Sequence, residues 1–391
     1  MSLRSGRLPR DLTPNRLTAA VARRRASGAP LLDLTESNPT LVGLTYPADL
    51  LAPLGSPKGL QYTPEPFGTR SARQAVSADY ARRGLAVPAA RIVLTASTSE
   101  AYALLFKLLC DPGDRVLVPR PSYPLFDHLT ALEAVVAVPY LLDAHDGWRV
   151  DVDAVAAAID ARTKAILVVS PNNPTGSILD RRELDALAEI AASRDVAIIG
   201  DEVFADYPLQ EAAGGVSVLQ QSRALAFGLG GLSKSVGLPQ VKVAWIGVSG
   251  PDAAVDDALN GLEIVADTFL SVSTPAQLAL SELLLSGAPL RAQIAERIGR
   301  NLQALRAAVA AVAAVSLHEP RGGWSAVLQV PATQSEEALA VALVEHDGVL
   351  VHPGYFFDFS REAYVVVSLL PEPASFDAGV ARLLARAMVP A

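Results

Sequence analysis

Only five of the 33 basic residues are lysines (Lys58, Lys107, Lys164, Lys234 and Lys242), so arginine is the default cation of this chain and each amine is informative. Lys234 stands in Gly228-Leu229-Gly230-Gly231-Leu232-Ser233-Lys234-Ser235, where an amine and two hydroxyls come together after an apolar run. Such an amine can attack a carbonyl or shuttle a proton. Asp201-Glu202 closes the apolar run Val196–Gly200. An acid there is costly without a positive partner, which points to a role beyond packing. Ser170-Pro171-Asn172-Asn173-Pro174-Thr175-Gly176 aims an amide over another strand end, although the same residues are ordinary turn formers. Pro119-Arg120-Pro121-Ser122-Tyr123-Pro124 presents a ring from a stiff loop, or simply packs it on the surface. Ser97, Thr98 and Ser99 open a helix, where free N–H groups and the helix dipole suit a phosphate. Taken alone, they read more simply as an ordinary Ser/Thr cap of that helix.

The elements that must carry these residues alternate. Strands are expected at Ile92–Thr95, Arg115–Val118, Val135–Val138, Lys164–Ser170, Val196–Asp201, Ala224–Phe227 and Val243–Val248, with helices between several of them, near Glu100–Leu109 and Arg181–Ala192. Near-continuous apolar strands separated by helices imply an α/β fold with a mainly parallel sheet sandwiched by helices. Ligands in such sheets bind beyond the carboxyl ends of the strands, which is where the groups above lie. Before this region, Thr13-Pro14 reads as a helix start, Leu31–Leu34 as a short strand and residues 41–68 as irregular connection. After Ser273, residues 276–315 read as helical, followed by strands at Val327–Val330, Val349–His352 and Tyr364–Ser368 and a C-terminal helix. The expected division is a large domain over 41–275 and a smaller α+β domain built from 1–40 plus 276–391.

Composition removes several alternatives. The chain has 391 residues, half of them hydrophobic, enough for two cores. Its longest proline-free apolar run, Ala307–Val315, is far short of the ~20 residues a membrane helix needs. The basic N-terminus is followed by no apolar signal core, so a cytoplasmic protein is expected. One cysteine, Cys110, excludes an internal disulfide framework, and the five histidines show no metal-ligand spacing. A net charge of −8 disfavours nucleic acid as a partner.

Two nucleotide motifs compete for the Lys234 segment. Gly228–Ser235 nearly spells GxxxxGK[ST], but Ser233 replaces the glycine that lets the backbone wrap a phosphate. Gly228-Leu229-Gly230 as a dinucleotide fingerprint lacks its third glycine and lies outside the first βα unit. One ligand accounts for all the strand ends at once: pyridoxal 5′-phosphate (PLP). It needs an amine for its aldehyde, a carboxylate for its ring nitrogen, a donor for its 3′-oxygen, an aromatic for its ring face and a helix N-terminus for its phosphate.

With these residues in this order, the chain resembles the fold-type I PLP-dependent enzymes of the class I/II aminotransferase family. The resemblance runs through Thr13-Pro14-Asn15, Tyr62–Gly68, Ser170–Gly176, Asp201-Glu202, Ser233-Lys234, Ser273–Gln277 and Val351-His352-Pro353-Gly354. It implies an aspartate aminotransferase-like fold, with Lys234 forming the internal aldimine and moving protons, and Asp201 on the pyridinium nitrogen. Asn173 would bond the 3′-oxygen and Tyr123 would stack on the ring. Ser97, Thr98, Ser99, Ser233 and Lys242 would serve the phosphate. Tyr62 resembles a tyrosine that reaches the neighbouring subunit's phosphate, so a homodimer with a shared site is implied, acting on an amino acid and a 2-oxo acid.

Four positions depart from the family pattern. Phe204 stands where a tyrosine donates to the 3′-oxygen, a loss Tyr207 could compensate. Lys242 replaces an arginine, and Gly231 a serine. Val366 occupies the place of the arginine that clamps the substrate carboxylate, so either Arg321, Arg361 or another arginine takes the task or the substrate is not held as an ordinary α-amino acid, with Asn38 as a further polar contact. These departures keep a PLP-dependent decarboxylase or a C–S/β-elimination lyase as the alternative to transamination.

Overall fold

The computed structural model describes residues 4–210 and 215–389. Its centre is an eight-stranded sheet. In spatial order the strands are Ile92–Thr95, Ala244–Ser249, Ala226–Gly231, Ala197–Asp201, Thr163–Val169, Arg115–Arg120, Val136–Asp143 and Arg149–Val150. The run from Ala226–Gly231 to Val136–Asp143 is parallel throughout, as the alternating pattern requires. Strand Ala244–Ser249 lies antiparallel to both neighbours. Between it and the strand before it lie a one-turn helix, Leu232–Ser235, and a 3₁₀ turn, with no crossover helix of the kind that usually joins parallel neighbours.

Two expected boundaries are corrected. The helix expected to start at Thr13-Pro14 runs Arg16–Ala26, and Asn15 caps it by accepting from Thr18 N–H. Thr13 N–H donates instead to Asp11. The glycine-rich segment read as a loop continues the strand to Gly231. Its glycines make room: a Cβ at Gly228 would come within 2.9 Å of Leu219, and one at Gly230 within 2.6 Å of the Trp245 ring.

Both sheet faces are buried. Helices Thr98–Leu109 and Asp252–Phe269 cover one side, packing Tyr102, Leu105, Phe106 and Leu262 against Val116, Leu167, Ile199 and Phe227. Helix Arg181–Arg194, started by an Asp180/Glu183 capping box, packs Leu184 and Leu187 on the other side against Ile166 and Ile198. Helix Thr274–Ser286 lays Leu280 and Leu283 against Ile92 and Trp245, so it packs with the large sheet although it lies beyond residue 275 for nearly all its length.

A second, antiparallel sheet orders Ser316–His318, Ser325–Gln329, Tyr364–Ser368 and His352–Pro353 beside helices Ala288–Ala310 and Pro373–Ala387. The N-terminal segment joins this smaller unit, because Leu32–Asp33 pairs in parallel with Val349–Leu350. The Ser368 amide also donates to the Leu34 carbonyl at 2.7 Å. Among the described residues no helix is long and apolar enough to cross a membrane.

Candidate active site

Neighbouring parallel strands end side by side, and that alone brings the two central groups together. Asp201 is the last residue of its strand and is paired in register with Leu229, five residues before Lys234. The Asp201 side chain is buried, and burial raises its pKa, opposed by the Tyr102 hydroxyl, the Val203 N–H and the Lys234 charge. Tyr102 donates to Asp201 Oδ2 at 2.9 Å, and Val203 N–H reaches Oδ1 at 3.3 Å. The adjacent Glu202 serves another purpose: its Oε1 accepts from Val218 N–H and its Oε2 lies 3.7 Å from Arg83.

Lys234 projects from the one-turn helix into an aromatic enclosure. Its Nζ lies 4.8 Å from the centre of the Trp324 ring and 5.5 Å from that of Phe204. Burial lowers the ammonium pKa to about 8, although the charges of Asp201 and Glu36 act the other way. An amine so poised is largely available as a free base in mildly alkaline solution, the state in which it can attack a carbonyl.

Around this pair the expected residues take distinct positions. Ser97 caps helix Thr98–Leu109 by accepting from Glu100 N–H, so the residues expected to serve a phosphate stand at a helix N-terminus, whose first N–H groups have no partner within the helix. Tyr123 is partly exposed and meets Phe126 edge-on at 6.1 Å, and Phe126 meets Tyr102 at 5.4 Å, which links the loop aromatic to the tyrosine on Asp201. Asn173 Oδ1 accepts from Ser325 Oγ at 3.3 Å, an arrangement that leaves the donor end of the amide for a ligand. Its neighbour Asn172 is buried and holds the turn, accepting from Thr175. Gly176 is at φ +69°, and its carbonyl accepts from both Arg321 and Gly322 N–H, which ties the turn to the segment that delivers Trp324. Ser233 precedes the lysine in the same helical turn, and Lys242 is exposed in a left-handed conformation at φ 59°.

The departures acquire physical form. Tyr207 does not compensate for Phe204: its hydroxyl is engaged by the carbonyls of Lys234 and Ser235 at 2.7 and 3.0 Å, where it braces the lysine helix from beneath. A side chain at Gly231 would bring its Cβ to 3.0 Å from Ala244 Cβ, so serine would crowd the neighbouring strand. Val366 is only 1% exposed. Strand register puts His318, Val327, Val366 and His352 in one row across the small sheet, and Val327 and Val366 pack into a cluster with Trp148, Phe357 and Tyr364. Arg321 donates to the Ile178 carbonyl at 3.2 Å, and Arg361 is exposed in the bend before the last strand. Asn38 Oδ1 caps the turn after it, accepting from Thr40 N–H and Oγ1. Tyr62 is 71% exposed, far more open than a tyrosine that serves its own chain's interior.

Three site residues escape sequence reasoning. Tyr102 looks like any core aromatic of an amphipathic helix. Trp324 and Glu36 come from segments distant in sequence, and no local pattern signals them.

The donor set fits PLP by its chemistry: a buried amine with a lowered pKa, a buried carboxylate held by a tyrosine, an amide donor, and a helix N-terminus flanked by hydroxyls. Among the described residues no cluster of three or more His, Cys, Asp or Glu side chains could hold a metal.

Comparison with known proteins agrees with this chemistry. The chain matches the family described as aminotransferase class I and II over residues 31–373. Glutamate-pyruvate aminotransferase AlaA of Escherichia coli is 31% identical over 261 residues, a match covering 66% of this chain and 64% of that protein's length. Alanine aminotransferase of Mycobacterium tuberculosis is 27% identical over 93% of this chain and 86% of its own. In fold, an Escherichia coli aminotransferase superposes with a TM-score of 0.87 at 24% identity, covering 100% of this chain and 99% of its own. Alanine aminotransferase from Pyrococcus furiosus gives 0.86 at 21% identity, over 94% and 95%.

Proposed function

From the premise that this chain belongs to the class I and II aminotransferase family, we propose that it is a PLP-dependent aminotransferase, moving an amino group between an amino acid and a 2-oxo acid. The observation that carries the reading is the buried pair of Lys234, with its pKa lowered to about 8, and Asp201, held by Tyr102. When bound, the cofactor supplies an electrophilic aldehyde and a ring that withdraws electrons from the donor's Cα–H bond. Asp201 would hold a proton on the ring nitrogen, with Tyr102 favouring the ionised carboxylate and orienting it. Lys234 would take the proton from the donor's Cα and hand it back, a task its burial-lowered pKa of about 8 suits. Asn173 would orient the 3′-oxygen, Tyr123 would cover the ring, and Ser97, Thr98, Ser99, Ser233 and Lys242 would hold the phosphate. Enclosure by Phe204 and Trp324 keeps water from the lysine.

We read the protein as a cytoplasmic homodimer. Tyr62 and Leu60, 71% and 91% exposed on one segment, favour a neighbouring subunit as their partner.

Phe204 and Val366 favour a second reading, a PLP-dependent decarboxylase or C–S/β-elimination lyase, because both remove polar control from the reacting centre. A single-turnover experiment separates the two. Transamination converts the cofactor to pyridoxamine phosphate with one equivalent of oxo product. Consumption of donor with release of CO₂, ammonia or thiol and no pyridoxamine phosphate would establish the lyase reading instead.

A further inference from the structure

Contacts at both ends of Lys234 lead back to Tyr207. The lysine sits in a helix of one turn, Leu232–Ser235, and so short a helix leaves the carbonyls of its last residues without helical partners. The Tyr207 hydroxyl meets that need, lying 2.7 Å from the Lys234 carbonyl oxygen and 3.0 Å from that of Ser235. At the amine end, the Tyr207 ring meets the Trp324 indole edge-on with centroids 5.2 Å apart, and Lys234 Nζ lies 4.8 Å from the centre of the indole ring. The Tyr207 carbonyl also accepts from Gly323 N–H at 2.9 Å, which fixes the residue just before Trp324.

Tyr207 is itself held in place. It is fully buried, and burial raises its phenol pKa well above the ordinary value, so the hydroxyl keeps its proton and stays a donor. The residue before it belongs to a balanced set of charges. Asp206 lies 2.5 Å from Arg82 and 3.5 Å from Arg291, and Asp79 lies 2.9 and 3.5 Å from the same two arginines. Arg291 also donates to the Ser235 carbonyl at 3.1 Å, so this set reaches the lysine turn directly. Phenylalanine at 207 would fill much the same core volume. What the hydroxyl adds is a hold on the lysine main chain.

Resting on the role of Lys234 in the aminotransferase reading, we infer that Tyr207 is the positioning residue of that lysine, fixing its main chain through the hydroxyl and its amine through the Trp324 ring. Tyr207 touches no reacting atom and acts only through Lys234. Such a role has leverage, because a displacement of about 1 Å at a reacting group can cost on the order of 10²-fold in rate.

The test compares Tyr207→Phe with Tyr46→Phe, which removes a hydroxyl bond of the same 2.7 Å length to the Gly237 carbonyl in the turn that follows the lysine helix. In the cofactor-free protein, trace acetic anhydride labels Lys234, with exposed Lys58 as internal standard, and peptide mass spectrometry reads the rate. At pH 10.5 the amine is at least half unprotonated whether its pKa is about 8 or the ordinary 10.5. Labelling requires only exposure, so Tyr207→Phe should raise the Lys234 rate about tenfold, the scale of a buried hydrogen bond left unmade. Capture of PLP requires alignment as well, so the visible absorbance of added PLP should develop about tenfold more slowly in the same variant. Tyr46→Phe should lower Tm by a similar amount while both rates stay within about twofold of the parent's.

Labelling or PLP capture at the parent rate in Tyr207→Phe, or equal changes in Tyr46→Phe, overturns the inference while leaving aminotransfer intact. Should Tyr207→Phe fail to fold, Trp324→Leu tests the amine end alone, and an unchanged Lys234 labelling rate there overturns the inference as well. Faster labelling in Tyr207→Phe with no visible absorbance from the PLP-treated parent would keep the positioning role and refute the cofactor reading.

Discussion

Burial of Lys234 can be measured directly in the cofactor-free protein. Its ammonium has a pKa of about 8 in the folded chain against 10.5 ordinarily, with burial the dominant cause. Below the folded value both states hold the proton, and the full cost of a buried charge is present. Between the two values the unfolded chain keeps a proton that the folded chain has released, so stability rises with pH across this window. Integrating from about pH 7.5 to about pH 10, at ~1.4 kcal/mol per pH unit, gives a gain of about 2 kcal/mol from this one group. Lys234→Met removes the titration while keeping the apolar stem against Phe204 and Trp324. Urea unfolding of both apoproteins across that range should show the parent gaining about 2 kcal/mol relative to the variant. The tyrosines whose pKa values burial raises, such as Tyr80 and Tyr102, titrate in both proteins and largely cancel. The variant also leaves Asp201 without a cation, which offsets the two curves but does not produce the pH dependence. A constant difference across the window would refute the claim that this amine is desolvated.

Three further outcomes are expected. Tyr102→Phe removes the 2.9 Å bond to Asp201 and should weaken PLP binding about tenfold, as for a hydrogen bond to a charged acceptor; equilibrium dialysis showing unchanged affinity would remove Tyr102 from the site. Phe204→Tyr offers a hydroxyl beside the lysine and should lower the pH midpoint of the bound cofactor's visible absorbance by about one unit. An unmoved midpoint would mean that position 204 does not face the ring. Val366→Arg forces a charge into a cluster of Val327, Phe357 and Tyr364 and should cost about 3 kcal/mol or more, read as a lower Tm. A variant of undiminished Tm would show that an anion or solvent reaches this strand.

Much of the candidate site is legible in the residues alone. Strands appear as apolar runs, and in a parallel sheet their carboxyl ends face one way. Asp201, Asn173, Tyr123, Ser97 and Lys234 therefore stand out as the polar or aromatic groups just past the end of each run. Boundaries failed where local signals compete. Asn15 prevailed over Thr13 as a helix cap. The glycines at 228, 230 and 231 read as a loop because their reason, the close approach of Leu219, Trp245 and Ala244, lies in other segments. Tyr207 does not replace the lost donor, because its hydroxyl is committed to main-chain carbonyls.

The order of residues along the chain by itself determined the alternation of strands and helices, and with it which side chains crowd one edge of the sheet. That information is local, because periodicity and turn chemistry extend over only a few residues. Which groups touch was decided by tertiary packing alone. Tyr102 reaches Asp201 across a helix–sheet interface, and Trp324 meets Lys234 because the Gly176 turn is bonded to the segment before it. Desolvation, the largest influence on both Lys234 and Asp201, exists only once those distant segments close over them.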